Sequence, residues 1–274
     1  MRLLVPARER KDKALTTKAS LQFPINNSLD PAYVCIPEVL GQAGYRTARI
    51  GKWHLGDSPK LHPASQGFDT TYFIDKSNNQ TKKLWRGRKL EADPFDNRLL
   101  TENFINEGIK FIRSNKEDPF FLYLPFSAPH FPAQSHHEWK GKSANADYGD
   151  VVEELDGRIG DLLEVLEEEE LKKNTIVVFL SDNGTEPGQR KWGSGAPFRG
   201  LKWSALEGGT RVPCIIRFPD VIPAGEVTDK LTTAIDLLPT LASACRIPLG
   251  KESESVPKLD GLDLWESLRG KTDS

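Results

Sequence analysis

The sequence predicts an α/β protein, a three-layer α/β/α sandwich in which helices cover both faces of a parallel sheet. β-rich and helical segments alternate along most of the chain. The run Thr175-Ile-Val-Val-Phe-Leu-Ser181 is apolar on both faces, which is typical of a parallel strand that helices cover on each side. Apolar residues recur at helical spacing between positions 151 and 166, which indicates an amphipathic helix packed on that sheet.

Composition excludes several classes of protein. The chain has 274 residues, 38% of them hydrophobic, which is enough to bury the core of one large domain or two small ones. Its 37 basic and 39 acidic side chains give a formal net charge of −2, which argues against nucleic acid as a partner. No apolar run approaches the roughly 18 residues that span a bilayer. Cys35, Cys214 and Cys245 have no CxxC spacing and predict neither a disulfide framework nor a zinc site.

Residues 1–30 are interpreted as a loose leader, and residues 31–274 as one partial α/β domain. The N-terminus has two leucines and a valine before it becomes charged, so it lacks the apolar region of roughly 7–15 residues found in a secretory signal. The stretch that follows is polar, is interrupted by Pro24 and shows no periodicity. We therefore expect no signal peptide in this chain.

The elements of the N-terminal half follow in order. Val39, Leu40 and Ala43 predict a short helix that ends at Gly44. Residues 45–50 then alternate with period two, like a strand. Further elements are predicted as a β-rich run at 67–74, a helix at 99–113 and a strand at 120–124.

In the C-terminal half, the longest helix is predicted over residues 145–171, with the acidic run at 167–170 as a solvated face. The strand at 175–181 is followed, after a loop rich in glycine and proline, by a strand at 212–218 and a helix at 233–245. Two polar segments are interpreted as surface: the basic loop Trp85-Arg-Gly-Arg-Lys89 and the histidines His136 and His137.

Asp182 and Asn183 directly follow the strand at 175–181. Open α/β sheets bind their ligands at the carboxyl ends of the strands. A carboxylate and a side-chain amide are hard oxygen donors suited to Ca²⁺ or Mg²⁺. The pair therefore predicts a metal site, with an Asx turn before Gly184 as the alternative.

Lys52 and His54 follow the strand that ends at Ile50. If the extended conformation continues, both side chains project to one side while Trp53 faces the other. Two cations at one point can stabilise an anion and protonate a leaving group, as acyl, phosphoryl and sulfuryl transfer require. A solvent-exposed turn with an aromatic prop is the alternative.

Two further candidates lie in loops. His130 stands in Ala128-Pro-His-Phe-Pro132, where prolines on both sides stiffen the loop that presents it. Lys202 lies between Gly200 and Glu207-Gly-Gly209, and glycine permits a close approach of the backbone to a ligand. A buried structural histidine and a mobile surface lysine are the alternatives.

The order and spacing of these motifs resemble the sulfatase family of the alkaline-phosphatase-like superfamily. Gly44-Tyr-Arg-Thr-Ala-Arg-Ile-Gly-Lys-Trp-His-Leu-Gly56 is similar to the second sulfatase signature. The later motifs of the family follow in order: Ala128-Pro-His-Phe-Pro132, Ser181-Asp-Asn-Gly184, Lys202 with Glu207-Gly-Gly-Thr-Arg-Val-Pro213, Asp236-Leu-Leu-Pro-Thr240 and Leu259-Asp-Gly261. The resemblance extends over most of the chain.

This resemblance implies an alkaline-phosphatase-like fold and hydrolysis of an aryl or carbohydrate sulfate ester. It implies that Asp182 and Asn183 bind a divalent cation, usually Ca²⁺ with Mg²⁺ as the alternative. It implies that the sulfate and its leaving oxygen are surrounded by Lys52, His54, His130 and Lys202. The nucleophile in the family is a formylglycine hydrate made from Cys or Ser in a Cys/Ser-x-Pro-x-Arg motif, and its members are usually exported.

The sequence departs from the family's pattern near its start. It contains neither the nucleophile motif nor the Asp-Asp metal pair of the family, and Cys35-Ile-Pro-Glu-Val39 lacks the required arginine. We therefore expect a sulfatase core without its first strand and without the C-terminal subdomain. Three hypotheses follow: part of a sulfuric ester hydrolase, inactive as written; a non-catalytic scaffold that binds a sulfated small molecule or saccharide; or a related phosphoesterase.

Overall fold

The computed structural model describes residues 28–56, 58–249 and 259–271. The first 27 residues of the predicted leader lie outside the described part of the chain. Leu29 is attached to the domain, because its backbone N–H donates to Leu55 O at 2.9 Å and its side chain packs beside Trp53.

The central sheet has five strands in the order β4-β3-β2-β1-β5. Their bounds are β1 Arg46–Lys52, β2 Thr70–Ile74, β3 Leu84–Arg86, β4 Lys89–Ala92 and β5 Phe120–Tyr123. β1 pairs in parallel with β2 and β5, whereas β3 and β4 are antiparallel. The parallel part confirms the predicted fold class, and the predicted strands at 45–50, 67–74 and 120–124 all form.

Residues 85–89 were predicted as a basic surface loop; the segment forms the β3–β4 hairpin instead, while Arg88 and Lys89 are exposed as predicted. Arg86 is partly exposed, and its guanidinium binds Glu107 at 2.6 Å, pairs with Glu91 and lies over the ring of Tyr72. The acidic and aromatic partners come from other elements, so the local sequence did not indicate them.

Helices lie on both faces of the sheet. Their bounds are α1 Ile36–Gln42, α2 Leu100–Ser114, α3 Ala146–Glu168, α4 Glu207–Thr210, α5 Leu237–Ala244 and α6 Trp265–Leu268. On one face, Phe104 of α2 is completely buried against Ile50 and Ile74. α1 packs with α5 in a separate cluster that includes Phe121 of β5. None of the helices in the described ranges is long and apolar enough to cross a bilayer.

Two further strands, β6 Val177–Leu180 and β7 Cys214–Arg217, form a separate antiparallel ribbon. The strand at 175–181 was predicted to be buried on both faces, and this prediction is wrong: Phe179 is 41% exposed. Val177 packs in the same α2–α3 cluster as Phe120 and Leu122 of β5. β5 and β6 therefore pack on the same layer of helices, α2 and α3. Within the described ranges they are not hydrogen-bonded to each other, and no strand between them pairs with both.

Gly51, next to the candidate Lys52, has φ of +135°, and a Cβ there would lie 2.2 Å from Pro125 O. We expect Gly51→Ala to cost more than about 2 kcal/mol, since both the backbone conformation and the contact exclude a side chain. Urea denaturation measures this loss. The control is Gly160→Ala on an exposed part of α3, where no atom lies within 4 Å, and this variant should be stabilised by up to about 1 kcal/mol. Equal responses at the two glycines would contradict the prediction.

Candidate active site

Lys52 ends β1 at the carboxyl edge of the central sheet. Its backbone N–H donates to Pro125 O at 2.8 Å, which ties the end of β1 to the segment after β5. Burial lowers the pKa of its ammonium group, the charge of Asp182 raises it, and the charges of Lys202 and Arg49 lower it. Lys52, Lys202 and Asp182 therefore lie close enough to interact electrostatically.

His54 lies beyond the strand. β1 ends at Lys52 and His54 has φ of +53°, so the strand alternation expected to align these two side chains does not extend to His54. Instead, the His54 backbone N–H donates to Asp75 O at 3.1 Å, and its Nδ1 lies 3.4 Å from Ser77 Oγ. The structure thus places His54 against the turn that follows β2.

His130 lies in a loop that two buried amides hold from different sides. Gln189 donates its Nε2–H to Pro129 O at 2.8 Å, and Asn78 contacts His130 Nδ1 through Oδ1 at 3.1 Å. Burial lowers the pKa of the imidazole, and the charges of Lys52 and Lys202 lower it further. The amides therefore hold this loop to two other segments of the chain.

Close contact between two glycine-containing segments places the Lys202 loop next to the Asp182 loop. Gly184 N–H donates to Gly209 O at 3.0 Å, and a Cβ on Gly184 would lie only 1.9 Å from Gly208 O. The Lys202 backbone N–H donates to Thr185 O, and its ammonium Nζ lies 3.1 Å from Glu186 Oε2. Lys202 is therefore held in the site, with a side chain only 14% exposed, and is not a mobile surface lysine.

Of the six predicted site residues, the structure brings four into electrostatic contact: Lys52, His130, Lys202 and Asp182. Asn183 follows Asp182 and its backbone oxygen accepts from Ser181 Oγ at 3.1 Å. Two lysines whose charges repel each other, beside a histidine whose protonation they disfavour, are suited to an oxyanion, since the anion relieves that repulsion.

Comparison with known proteins decides the family. The Sulfatase family model matches residues 12–247. The chain belongs to the sulfatase family. N-acetylgalactosamine-6-sulfatase of Rattus norvegicus is 35% identical over 254 residues, which cover 85% of this chain and 48% of that protein. Steryl-sulfatase of Homo sapiens is 35% identical over 195 residues, which cover 69% of this chain and 33% of the relative.

Solved structures agree with this assignment. PsFucS1 sulfatase from Pseudoalteromonas sp. superposes with a TM-score of 0.77 at 28% identity, covering 86% of this chain and 54% of that one. Ps i-CgsB, solved in complex with k-i-k-neocarrahexaose, superposes with a TM-score of 0.78 at 28% identity, covering 90% of this chain and 60% of that one. This sulfatase chain spans about half the length of the curated relatives it matches.

Sequence reasoning missed a buried arginine beside the candidate site. Arg49 is 1% exposed, its guanidinium lies over the Trp53 ring at 4.5 Å, and its Nε has no hydrogen-bond partner in the described structure. Burial lowers its pKa to about 9. Arg49 lies within β1 and contacts Trp53, four positions later. This local sequence did not indicate a role at the site.

Cys35 does not fit the role of the nucleophile precursor. It is the only cysteine of this sulfatase chain that is followed by a proline at the family's Cys-x-Pro spacing. The residue is buried at the start of α1, and its Sγ donates to Tyr33 O at 3.6 Å. Burial and the nearby Glu38 raise the pKa of its thiol to about 11. A reactive thiolate needs the opposite environment.

A second group of metal-ligating type lies elsewhere in this sulfatase chain: the ligand atoms of His136, His137 and Glu138 all lie within 4.8 Å of one another. Both histidines were predicted to lie at the surface, and for His136 this is wrong, because it is only 8% exposed. Its backbone N–H donates to the buried Glu154 at 2.8 Å, and its Nδ1 lies 3.2 Å from Glu138 Oε2. The described residues therefore contain a His/Glu group of metal-ligating type besides the Asp182–Asn183 pair.

Proposed function

We propose that this chain is the sulfate-binding core of a sulfuric ester hydrolase. The observation that carries the proposal is the convergence of Lys52, His130 and Lys202 beside Asp182 at one edge of the α/β structure. Membership of the sulfatase family and relatives named for sulfate-ester hydrolysis support it.

Each residue then has a distinct role. Lys52 and Lys202 hold the nonbridging oxygens of the sulfate group and stabilise the charge that develops on them. Because burial and the two lysines keep His130 mostly neutral, it takes up a proton when the sulfate ester binds between them. It can then donate that proton to the leaving oxygen as a general acid.

The formylglycine nucleophile implied by the family has no fitting precursor among the cysteines. Cys35 is buried with a raised pKa, and burial also raises the pKa of Cys214. None of the three cysteines, Cys35, Cys214 and Cys245, stands in a Cys/Ser-x-Pro-x-Arg motif. No step of the mechanism therefore passes through a nucleophile of this chain.

Asp182 and Asn183 fit a hard divalent cation, with Ca²⁺ as the proposed ion. Asp182 is exposed at the end of β6, where its carboxylate lies within electrostatic reach of Lys52. A bound cation would neutralise charge on a sulfate oxygen. Because Ca²⁺ takes about 6–8 oxygen ligands, these two residues supply only part of its coordination shell.

The proposed substrate class is a sulfated saccharide. The rat relative is named for a sulfate on N-acetylgalactosamine, and Ps i-CgsB was solved with an oligosaccharide. Since the family is usually exported, we also propose that the complete protein works outside the cytoplasm.

Binding of inorganic sulfate tests the proposed function. We expect isothermal titration calorimetry of the 274-residue protein to detect sulfate binding, and Lys52→Ala and Lys202→Ala each to weaken it about 10- to 100-fold. A charge-assisted hydrogen bond contributes about 1.5–3 kcal/mol, which corresponds to that factor.

The matched control is Lys191→Ala, which removes a lysine that lies over the ring of Trp192 in an exposed segment. This variant should bind sulfate like the wild type. If all three variants bind equally, the proposed site is wrong. Tighter binding of phosphate than of sulfate, with the same dependence on Lys52, would favour a phosphoesterase.

A further inference from the structure

The turn after β2 carries an asparagine, Asn78, that contacts the His130 loop. Asn78 is only 3% exposed, although asparagine is usually a surface residue. Its Oδ1 lies 3.1 Å from His130 Nδ1, across 52 residues of sequence. A buried amide in this position must satisfy both its donor and its acceptor groups.

The orientation of the Asn78 amide follows from its other partners. Its Nδ2 lies 3.2 Å from Pro132 O and 3.0 Å from Asn97 Oδ1. A backbone carbonyl only accepts hydrogen bonds, so the end of the amide that faces Pro132 is the NH₂ group. Asn97 is oriented in the same way, because its own Nδ2 donates to Pro132 O at 3.1 Å and to Gln134 Oε1. Oδ1 of Asn78 must therefore face His130.

The tautomer of His130 follows from the Asn78 orientation. Asn78 Oδ1 can only accept, and the second neighbour of Nδ1, Phe131 O at 2.7 Å, can also only accept. Nδ1 must therefore carry a hydrogen. In the neutral ring this leaves Nε2 unprotonated, and Nε2 is the nitrogen that remains for a ligand.

We propose that Asn78 is a positioning residue that holds His130 in the Nδ1–H tautomer, so that Nε2 is the atom presented to the sulfate ester. The assignment of the tautomer stands on the hydrogen bonds alone, whereas the role of Nε2 rests on the proposed function. An Nε2 that gains a proton as the ester binds can donate it to the leaving oxygen without rotation of the ring.

Nitrogen-15 NMR of the labelled 274-residue protein tests the tautomer without any substrate. Two-bond proton–nitrogen correlations are recorded at a pH at which the ring is neutral, and His130→Gln identifies the signals. We expect the shift of a protonated nitrogen at Nδ1 and of an unprotonated nitrogen at Nε2. The opposite assignment in the wild-type protein would overturn the proposal, whatever the variants show.

Two variants distinguish two roles of Asn78: selection of the His130 tautomer through Oδ1, and stabilisation of the loop through Nδ2. Asn78→Ala removes the acceptor and should shift part of the population to the Nε2–H form. Asn78→Asp keeps an acceptor but loses the NH₂ donor, so it should retain the Nδ1–H form. A bracing role through Nδ2 predicts the same change in both variants. Full retention of Nδ1–H in Asn78→Ala would show that Phe131 O suffices, and would also overturn the proposal.

Titration with inorganic sulfate separates this inference from the proposed function. We expect Asn78→Ala to bind sulfate about two- to tenfold more weakly than the wild type, the effect of one hydrogen bond on the position of His130. If the wild-type tautomer is Nδ1–H but sulfate does not bind, the proposed function fails and the tautomer assignment stands.

Discussion

A polypeptide of these 274 residues is expected to release no measurable p-nitrophenol from p-nitrophenyl sulfate. Sulfate-ester hydrolysis in the family proceeds through a covalent nucleophile, and no Cys/Ser-x-Pro-x-Arg motif occurs in this sequence. Loss of a covalent nucleophile costs on the order of 10⁶-fold in kcat where it has been measured in another hydrolase. In the proposed function Lys52, His130 and Lys202 bind the ester and stabilise charge, but they form no bond to sulfur.

The control for this prediction is Lys202→Ala, which removes a proposed sulfate-binding group and sets the background rate. Initial rates are measured at saturating ester in the presence of excess Ca²⁺, so that an unfilled metal site is not the cause of a low rate. Turnover above the Lys202→Ala background would show that a nucleophile lies within these 274 residues. Sulfate binding without turnover is the expected pair of results, and it separates the proposed binding site from catalysis.

Helices and strands that are determined by a pattern in the local sequence were predicted correctly. α2 begins and ends within one residue of the predicted 99–113, because its apolar residues repeat at helical spacing over four turns. β1 and β5 were also predicted within two residues at each end, since both are bounded by turn residues. In these segments, local propensity and tertiary packing favour the same structure.

The failed predictions concern long-range contacts. Arg86 of the β3–β4 hairpin binds Glu107, which lies 21 residues away in the sequence. Asn78 reaches His130 across 52 residues, and no spacing rule indicates such a contact. The motifs identified Lys52, His130, Lys202 and Asp182 because their residue types are required by the chemistry, whereas the amides that hold His130 in place have no such signature.

Self-association through the β6–β7 ribbon is the second large effect that we expect. Phe179 and Ile215 are directly opposite each other in the antiparallel register, so they lie on one face, with exposures of 41% and 62%. Neighbouring apolar side chains on a short, weakly covered ribbon are a common cause of association. Size-exclusion chromatography with light scattering should show the 274-residue protein forming oligomers that increase with concentration.

The double variant Phe179→Thr/Ile215→Thr should shift the protein towards a monomer, because threonine keeps β propensity and removes the apolar surface. The matched control is Leu90→Thr, since Leu90 is also 41% exposed but lies on β4, at the opposite edge of the central sheet. That variant should associate like the wild type.

β5 and β6 pack in one helical cluster, and no strand lies between them in the described ranges. A strand that filled this gap would cover part of the same surface. A wild-type protein that stays monomeric at high concentration and melts cooperatively would contradict the prediction, and would favour the self-sufficient scaffold that binds sulfated ligands without catalysis.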